Sequence, residues 1–179
     1  MSRISLLRTL RMSLQSFLTM SPSWLKSSLS RSITPSHELV KRREGLVLKW
    51  YKDSLGKLTA GYGHLQKPGE DKLVVTKALA DAWFEGDIGW AEDAALRQSL
   101  QLPFVTQDLI DKLVSVNFQL GAGWTGTFKK TWALLLAGKF AEAAREAEDS
   151  NWHKQTPVRV RDFQEALWRT QALYDLYKG

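Results

Sequence analysis

Residues 43–64, REGLVLKWYKDSLGKLTAGYGH, hold four glycines within 22 positions, and that density constrains the fold more than any other feature of the chain. Glycine supplies the backbone conformations that reversals need, and it is a poor residue inside a helix. Valine, leucine, tryptophan, tyrosine and threonine lie between the glycines, a mixture that predicts short strands joined by tight turns. The same run carries two carboxylates, Glu44 and Asp53, and a threonine, Thr59. A hairpin centred on Gly56 brings the Thr59 hydroxyl back toward Asp53.

Helical signals surround this run. Ser36 is placed to cap a short helix that carries Leu39 and Val40 toward Glu44, with Glu38 in its first turn. After the QKPGEDK loop, Thr76 caps a long helix whose apolar positions include Leu79, Ala82, Trp83, Ile88, Ala91 and Ala95. Further helices are expected at about 106–120, 128–136, 139–148 and 158–177. No internal repeat is evident. A small early sheet followed by a run of helices is an α+β arrangement.

Composition separates the first 37 residues from the rest. They contain eleven serines, five basic residues and no acid, so they carry +5 of the formal net charge of +6. The expected organisation is an N-terminal extension, 1–37, and one domain, 38–179. Within that domain we expect a sheet lobe over about 38–75, a linking helix over about 76–97 and a helical lobe over about 98–179. Because the charge excess sits on the extension, net charge is not an argument for specific nucleic-acid binding by the folded body. Anionic membrane, lipopolysaccharide or wall polymer is an equal electrostatic match for 1–37.

Projected as a helix, Ile4, Leu6, Leu7, Leu10, Leu14, Phe17 and Leu18 share an arc about 160° wide, interrupted by Arg3 and Arg11. A disordered extension, a membrane-surface segment and an organellar transit peptide all fit this composition. The apolar runs are too short for a secretory signal or a membrane span. All three methionines, Met1, Met12 and Met20, fall here, so the start of translation is itself open. With no cysteine and three histidines, no disulfide framework or metal cluster is expected, and no cofactor.

Cleaving a glycosidic bond takes a proton donor on the leaving oxygen and a second carboxylate that attacks the sugar or activates water. Glu44, at a helix end where burial raises an acid's proton affinity, and Asp53, in a polar turn, fit those roles. Taken singly, each residue has an ordinary structural explanation. A helix-end Glu is usually a solvated charge, an Asp at a turn an Asx cap, and a Thr on a strand unremarkable.

The ordered run Glu44-Gly45-Leu46, Tyr51-Lys52-Asp53, Gly56, Leu58-Thr59 and Gly61-Tyr62-Gly63-His64 resembles the lysozyme motif of bacteriophage T4-type endolysins, glycoside hydrolase family 24. The resemblance continues through VNFQLG at 116–121, TGTFKKTWALL at 125–136 and SNWHKQTPVRVR at 150–161, and so covers about 38–179. It implies a lysozyme-like fold, peptidoglycan as substrate, and catalytic roles for Glu44, Asp53 and Thr59. It also implies that Phe118, Gln119, Phe128 and Trp152 line the substrate cleft. Arg159 becomes an ion-pair partner of Glu44, and His64 and Asp87 a structural pair.

Each secondary position has a packing explanation too: Phe118 and Phe128 as core residues, Trp152 as a lobe closure, His64 as a satisfied structural histidine. The family analogy further implies inversion at the anomeric carbon, a monomer, and release from the host cytoplasm to the wall through a holin or other membrane lesion. Three departures stand out. Ala60 replaces a common isoleucine, Lys154 a smaller polar residue, and the LGAGWTG loop brings Trp124 toward the cleft mouth.

Overall fold

The computed structural model describes residues 34–53 and 56–179; most of the N-terminal extension, 1–33, and residues 54 and 55 lie outside the described part. Pro35–Gly179 form one compact unit. In chain order the described elements are α1 (Thr34–Glu44), β1 (Val47–Lys52), β2 (Leu58–Gly61), β3 (His64–Leu65), α2 (Lys77–Ser99), α3 (Gln107–Leu120), α4 (Trp124–Thr127), α5 (Lys129–Leu136), α6 (Phe140–Glu148), α7 (Asn151–Gln155) and α8 (Pro157–Lys178). This is the α+β arrangement expected from the residues and the lysozyme-like fold that the resemblance implies.

The α1 helix begins earlier than the capping argument places it. Pro35 suits a first helical turn because its φ is already fixed there, so Ser36 lies inside the helix and is buried instead of capping it. Gly45, at φ +74°, ends the helix with its N–H on the Lys41 carbonyl, a left-handed stop that a side chain would strain.

The three strands form an antiparallel meander in the order β1-β2-β3. Tyr51 pairs with Thr59, Lys52 with Leu58 and Ala60 with His64, with an irregularity in β1 between Val47 and Tyr51. Gly61 packs this sheet directly on α2. A Cβ there would stand 3.1 Å from the Ala80 Cβ, and the φ of +64° disfavours a side chain as well.

Thr76 and Thr106 cap α2 and α3 as threonines do, each hydroxyl accepting from the backbone N–H three residues on. Along α2 the buried line is Ala80, Phe84, Ile88, Ala91 and Ala95; the expected Ala82 faces solvent. The core continues into the helical lobe through Leu109, Leu113, Leu135, Phe140, Phe163 and Leu167, each fully buried. Burying a side chain of this size contributes about 1.5–3 kcal/mol. The α2–α3 contact also contains a polar knot: Gln98 and Asn117 exchange amide hydrogen bonds of 2.9 and 2.8 Å, and the Trp124 indole N–H donates to Asn117 Oδ1 at 3.1 Å. None of the described helices is long and apolar enough to cross a membrane.

His37 ties α1 to α2. Its Nε2 lies 2.6 Å from Glu92 Oε1, its Nδ1 3.4 Å from Glu85 Oε2, and its ring sits edge-on to Phe84. The Glu92 hydrogen bond, opposed by burial and reinforced by both carboxylates, holds the His37 pKa above its ordinary value. A raised histidine pKa stabilises the fold fully below the unfolded value of about 6.5, and that contribution is lost as pH rises through the folded value. The urea midpoint is therefore expected to fall between about pH 6 and pH 9 by less in His37→Gln than in the wild type. Equal falls would remove His37 from the account.

Candidate active site

Glu44 is the last residue of α1, and its position is set from α8 across 115 residues of chain. Arg159 Nη2 donates to Glu44 Oε1 at 2.6 Å, while Nη1 reaches the Ser115 carbonyl at 3.3 Å. The adjacent Arg43 makes the reverse pairing, its Nε and Nη2 each 2.7 Å from a carboxylate oxygen of Asp162. One helix turn of α8, from Arg159 to Asp162, thus holds the end of α1 through two charge pairs of opposite polarity. Only Oε1 of Glu44 is taken up this way. Oε2 accepts no hydrogen bond among the described residues and points to the β2–β3 turn, 3.9 Å from where a Cβ on Gly63 would stand.

Asp53 and Thr59 both bond the backbone of Lys57. The Asp53 N–H donates to the Lys57 carbonyl at 2.9 Å, and Asp53 Oδ1 accepts from the Lys57 N–H at 2.8 Å. The Thr59 hydroxyl donates to the same carbonyl at 3.3 Å. Gly56 closes the turn with its N–H on the Asp53 carbonyl. The return of Thr59 toward Asp53 is therefore built into the hairpin. Thr59 is buried and Asp53 half-buried, so both side chains have fixed positions at the turn end of the hairpin.

His64 and Asp87 come together, with Nδ1 2.5 Å from Asp87 Oδ2. The sequence argument missed a second carboxylate on this ring: Glu70 Oε2 lies 3.0 Å from Nε2 and also accepts from the Lys67 N–H at 2.7 Å. Burial pushes the Glu70 carboxyl up, but the Lys67 N–H and the His64 ring outweigh it and hold it below the ordinary range. The Pro68-Gly69 pair in the QKPGEDK loop was the available sign of a tight turn there. Trp83 stacks on the imidazole at 4.4 Å, which makes this a packed support between sheet and α2.

The helical-lobe residues divide. Phe118 is half-buried, tilted against Phe84 at 5.8 Å. Gln119 has both amide groups engaged, Oε1 by the Trp152 indole N–H at 3.1 Å and Nε2 by Thr156 Oγ1 at 2.9 Å. Trp152 is 2% exposed, so it presents no open ring face on which a sugar can stack. Trp124, expected at the cleft mouth, is equally buried, because its indole N–H is needed in the Asn117 knot. Edges of both tryptophans, with Phe128, Leu120, Ser150 and Gln155, line a pocket of about 510 Å³. Lys154 is exposed on α7 and reaches Asn151 Oδ1 at 3.5 Å. Among the described residues no group of three histidine or carboxylate side chains is arranged to hold a metal ion.

A small sheet, a long linking helix and a helical lobe, with Glu, Asp and Thr concentrated on one helix–hairpin segment, define a lysozyme-type glycosidase. The family profile for phage lysozymes matches residues 41–165, and the chain belongs to that family. It is 31% identical over 147 residues to the probable T4-type lysozyme 1 of Dictyostelium discoideum, covering 68% of this chain and 86% of that protein. It is 35% identical over 118 residues to the endolysin of Acyrthosiphon pisum secondary endosymbiont phage 1, covering 65% and 75% respectively. A third relative, the pre-baseplate central spike protein of Enterobacteria phage T4, is 29% identical over 147 residues, with 69% of this chain matching 26% of that protein.

Proposed function

We propose that this protein is an N-acetylmuramidase that hydrolyses the β-1,4 bond between N-acetylmuramic acid and N-acetylglucosamine in bacterial peptidoglycan, and that it serves host-cell lysis as an endolysin. The observation that carries the reading is the division of labour on one segment: a carboxyl oxygen of Glu44 left open beside the hairpin, and Asp53 and Thr59 fixed on the Lys57 backbone, one at its N–H and the other at its carbonyl. Glu44 acts as general acid on the leaving oxygen. Asp53 orients and activates a water, and Thr59 holds that water in line.

Attack by water on the face opposite the leaving group inverts the anomeric carbon, where a carboxylate nucleophile gives retention. Proton NMR of the first product from soluble glycan strands is expected to show the α-anomer appearing first, at N-acetylmuramic acid reducing ends. Initial β-anomer would overturn the water-first mechanism. New N-acetylglucosamine reducing ends would overturn the bond assignment.

In the endolysin role the protein, a monomer by family analogy, is made in the host cytoplasm and reaches the periplasmic wall once a holin or another lesion opens the membrane. The likeness to part of a phage spike protein supports a second setting, a tail-associated lysozyme acting as a phage penetrates the wall. Residues 1–37, acid-free and basic, are proposed to contact anionic membrane or lipopolysaccharide. Equal binding of the full chain to anionic and neutral vesicles would sink that contact.

A further inference from the structure

The geometry points to Trp90 as a pyranose-stacking platform at the junction of the sheet and the helical lobe, an additional substrate-binding residue for this reaction. It rests on the peptidoglycan-hydrolase reading above. On α2, residues 83, 87 and 90 recur at helical spacing and share one face. The first two define what that face looks at: Trp83 stacks on His64 of β3, and Asp87 bonds the same ring. Trp90 is the next position along the stripe, beyond the His64 support. There it meets not the sheet but Phe118 of α3, the neighbour of Gln119, ring on ring at 6.3 Å with the planes 14° apart. Trp90 therefore stands where the linking helix leaves the sheet and reaches the helical lobe, the place at which the two lobes part.

Its environment is that of a binding surface. Phe118 packs down onto the buried Phe84, and Phe84 onto the buried Tyr62 beside Gly63 and the open oxygen of Glu44, so a row of core rings anchors Trp90 and backs the segment that carries the candidate acid. One side of the Trp90 indole is fixed by Phe118, yet the residue stays 45% exposed. Fixing a flat ring in advance lowers the entropy cost of stacking on it. The buried Trp124 and Trp152 do not offer such a face. Trp168 on α8 is as exposed, at 46%, but makes no ring contact among the described residues. It serves as the control.

The test measures binding and turnover separately. Cosedimentation with purified peptidoglycan sacculi is followed for Glu44→Gln alone and combined with Trp90→Ala, Trp90→Leu, Trp90→Phe or Trp168→Ala. Hydrolysis of the same sacculi is followed with Glu44 intact. Trp90→Ala and Trp90→Leu are each expected to weaken binding about 3- to 10-fold, the range that aromatic contacts supply, and to raise KM more than they lower kcat. Trp90→Phe is expected to restore binding to within about twofold, and Trp168→Ala to bind as the parent.

Leucine keeps an apolar side chain on Phe118 but has no flat face, so wild-type binding by Trp90→Leu overturns the platform and leaves a packing role. Failure of Trp90→Phe to rescue, or parent-like binding by Trp90→Ala, overturns it too. If the wild type releases no sugar ends while binding still depends on Trp90, the hydrolase reading fails and the platform stands.

Discussion

Glu44→Gln is expected to lower kcat on peptidoglycan by about 10² to 10⁴ while the protein stays folded. Glutamine keeps the shape of the side chain and a carbonyl oxygen for Arg159 Nη2, but it has no proton to give to a leaving oxygen. The Arg159 charge loses its anionic partner, so stability is expected to fall as well, by about 1–2 kcal/mol. That loss is too small to unfold a domain of ordinary stability. The assay is clearing of permeabilised Gram-negative walls with quantitation of new reducing ends, beside circular dichroism to confirm the fold. Clearing at the wild-type rate would mean that Glu44 is not the acid. Failure of the folded wild type to clear would favour a noncatalytic wall-binding module, in which aromatic side chains grip glycan and the three polar residues only hold the hairpin.

Local rules were enough to read the elements with local causes. Thr76 announces its helix because a cap is a contact three residues long. The hairpin around Gly56 was legible for a similar reason: Asp53, Gly56, Lys57 and Thr59 satisfy one another within seven residues. What escaped depends on distant partners. The short helices α4 and α7 are too brief to form by propensity, and each contains a buried tryptophan whose indole N–H is taken up by α3, at Asn117 and Gln119. Ser36 was misread as a cap because proline's preference for a first helical turn was not weighed against serine's for the cap.

The site shows the same split. Spacing alone offered Glu44, Asp53 and Thr59 as candidates of ordinary type, and the family resemblance singled them out. Neither source supplied Glu70 on His64 or the crossed pairing of Arg43 with Asp162, since a surface acid and a surface arginine carry no mark of their partners. Trp83 was noted as a core position by its period, but Trp90, on the same face seven residues on, reads as just another exposed aromatic until Phe118 is seen beside it.

Arg159 links the fold to the chemistry, and its removal is expected to cost both. It is 7% exposed, lies in the first turn of α8, and spends one guanidinium nitrogen on Glu44 and another on the Ser115 carbonyl. Deleting one partner of a buried ion pair typically costs about 3–5 kcal/mol. Here the Glu44 side chain is 23% exposed, and water can take up part of the orphaned charge, so about 2–3 kcal/mol is expected for Arg159→Ala. For a chain of this length that is a fall of about 5–10 °C in Tm. Loss of the contact on Oε1 also frees the Glu44 carboxyl to rotate, and a misplaced acid is expected to lower kcat by about 10- to 100-fold. Arg159→Lys should recover only part of either loss, because a single ammonium cannot span the carboxylate and the Ser115 carbonyl as the guanidinium does. Urea unfolding with Glu44→Gln, Arg159→Ala and the double variant closes the cycle. A double variant less destabilised than the sum of the singles would place the pair among the contacts holding α1 to α8. Strict additivity would mean that Arg159 acts through Ser115 and packing alone, and that α8 does not position the acid.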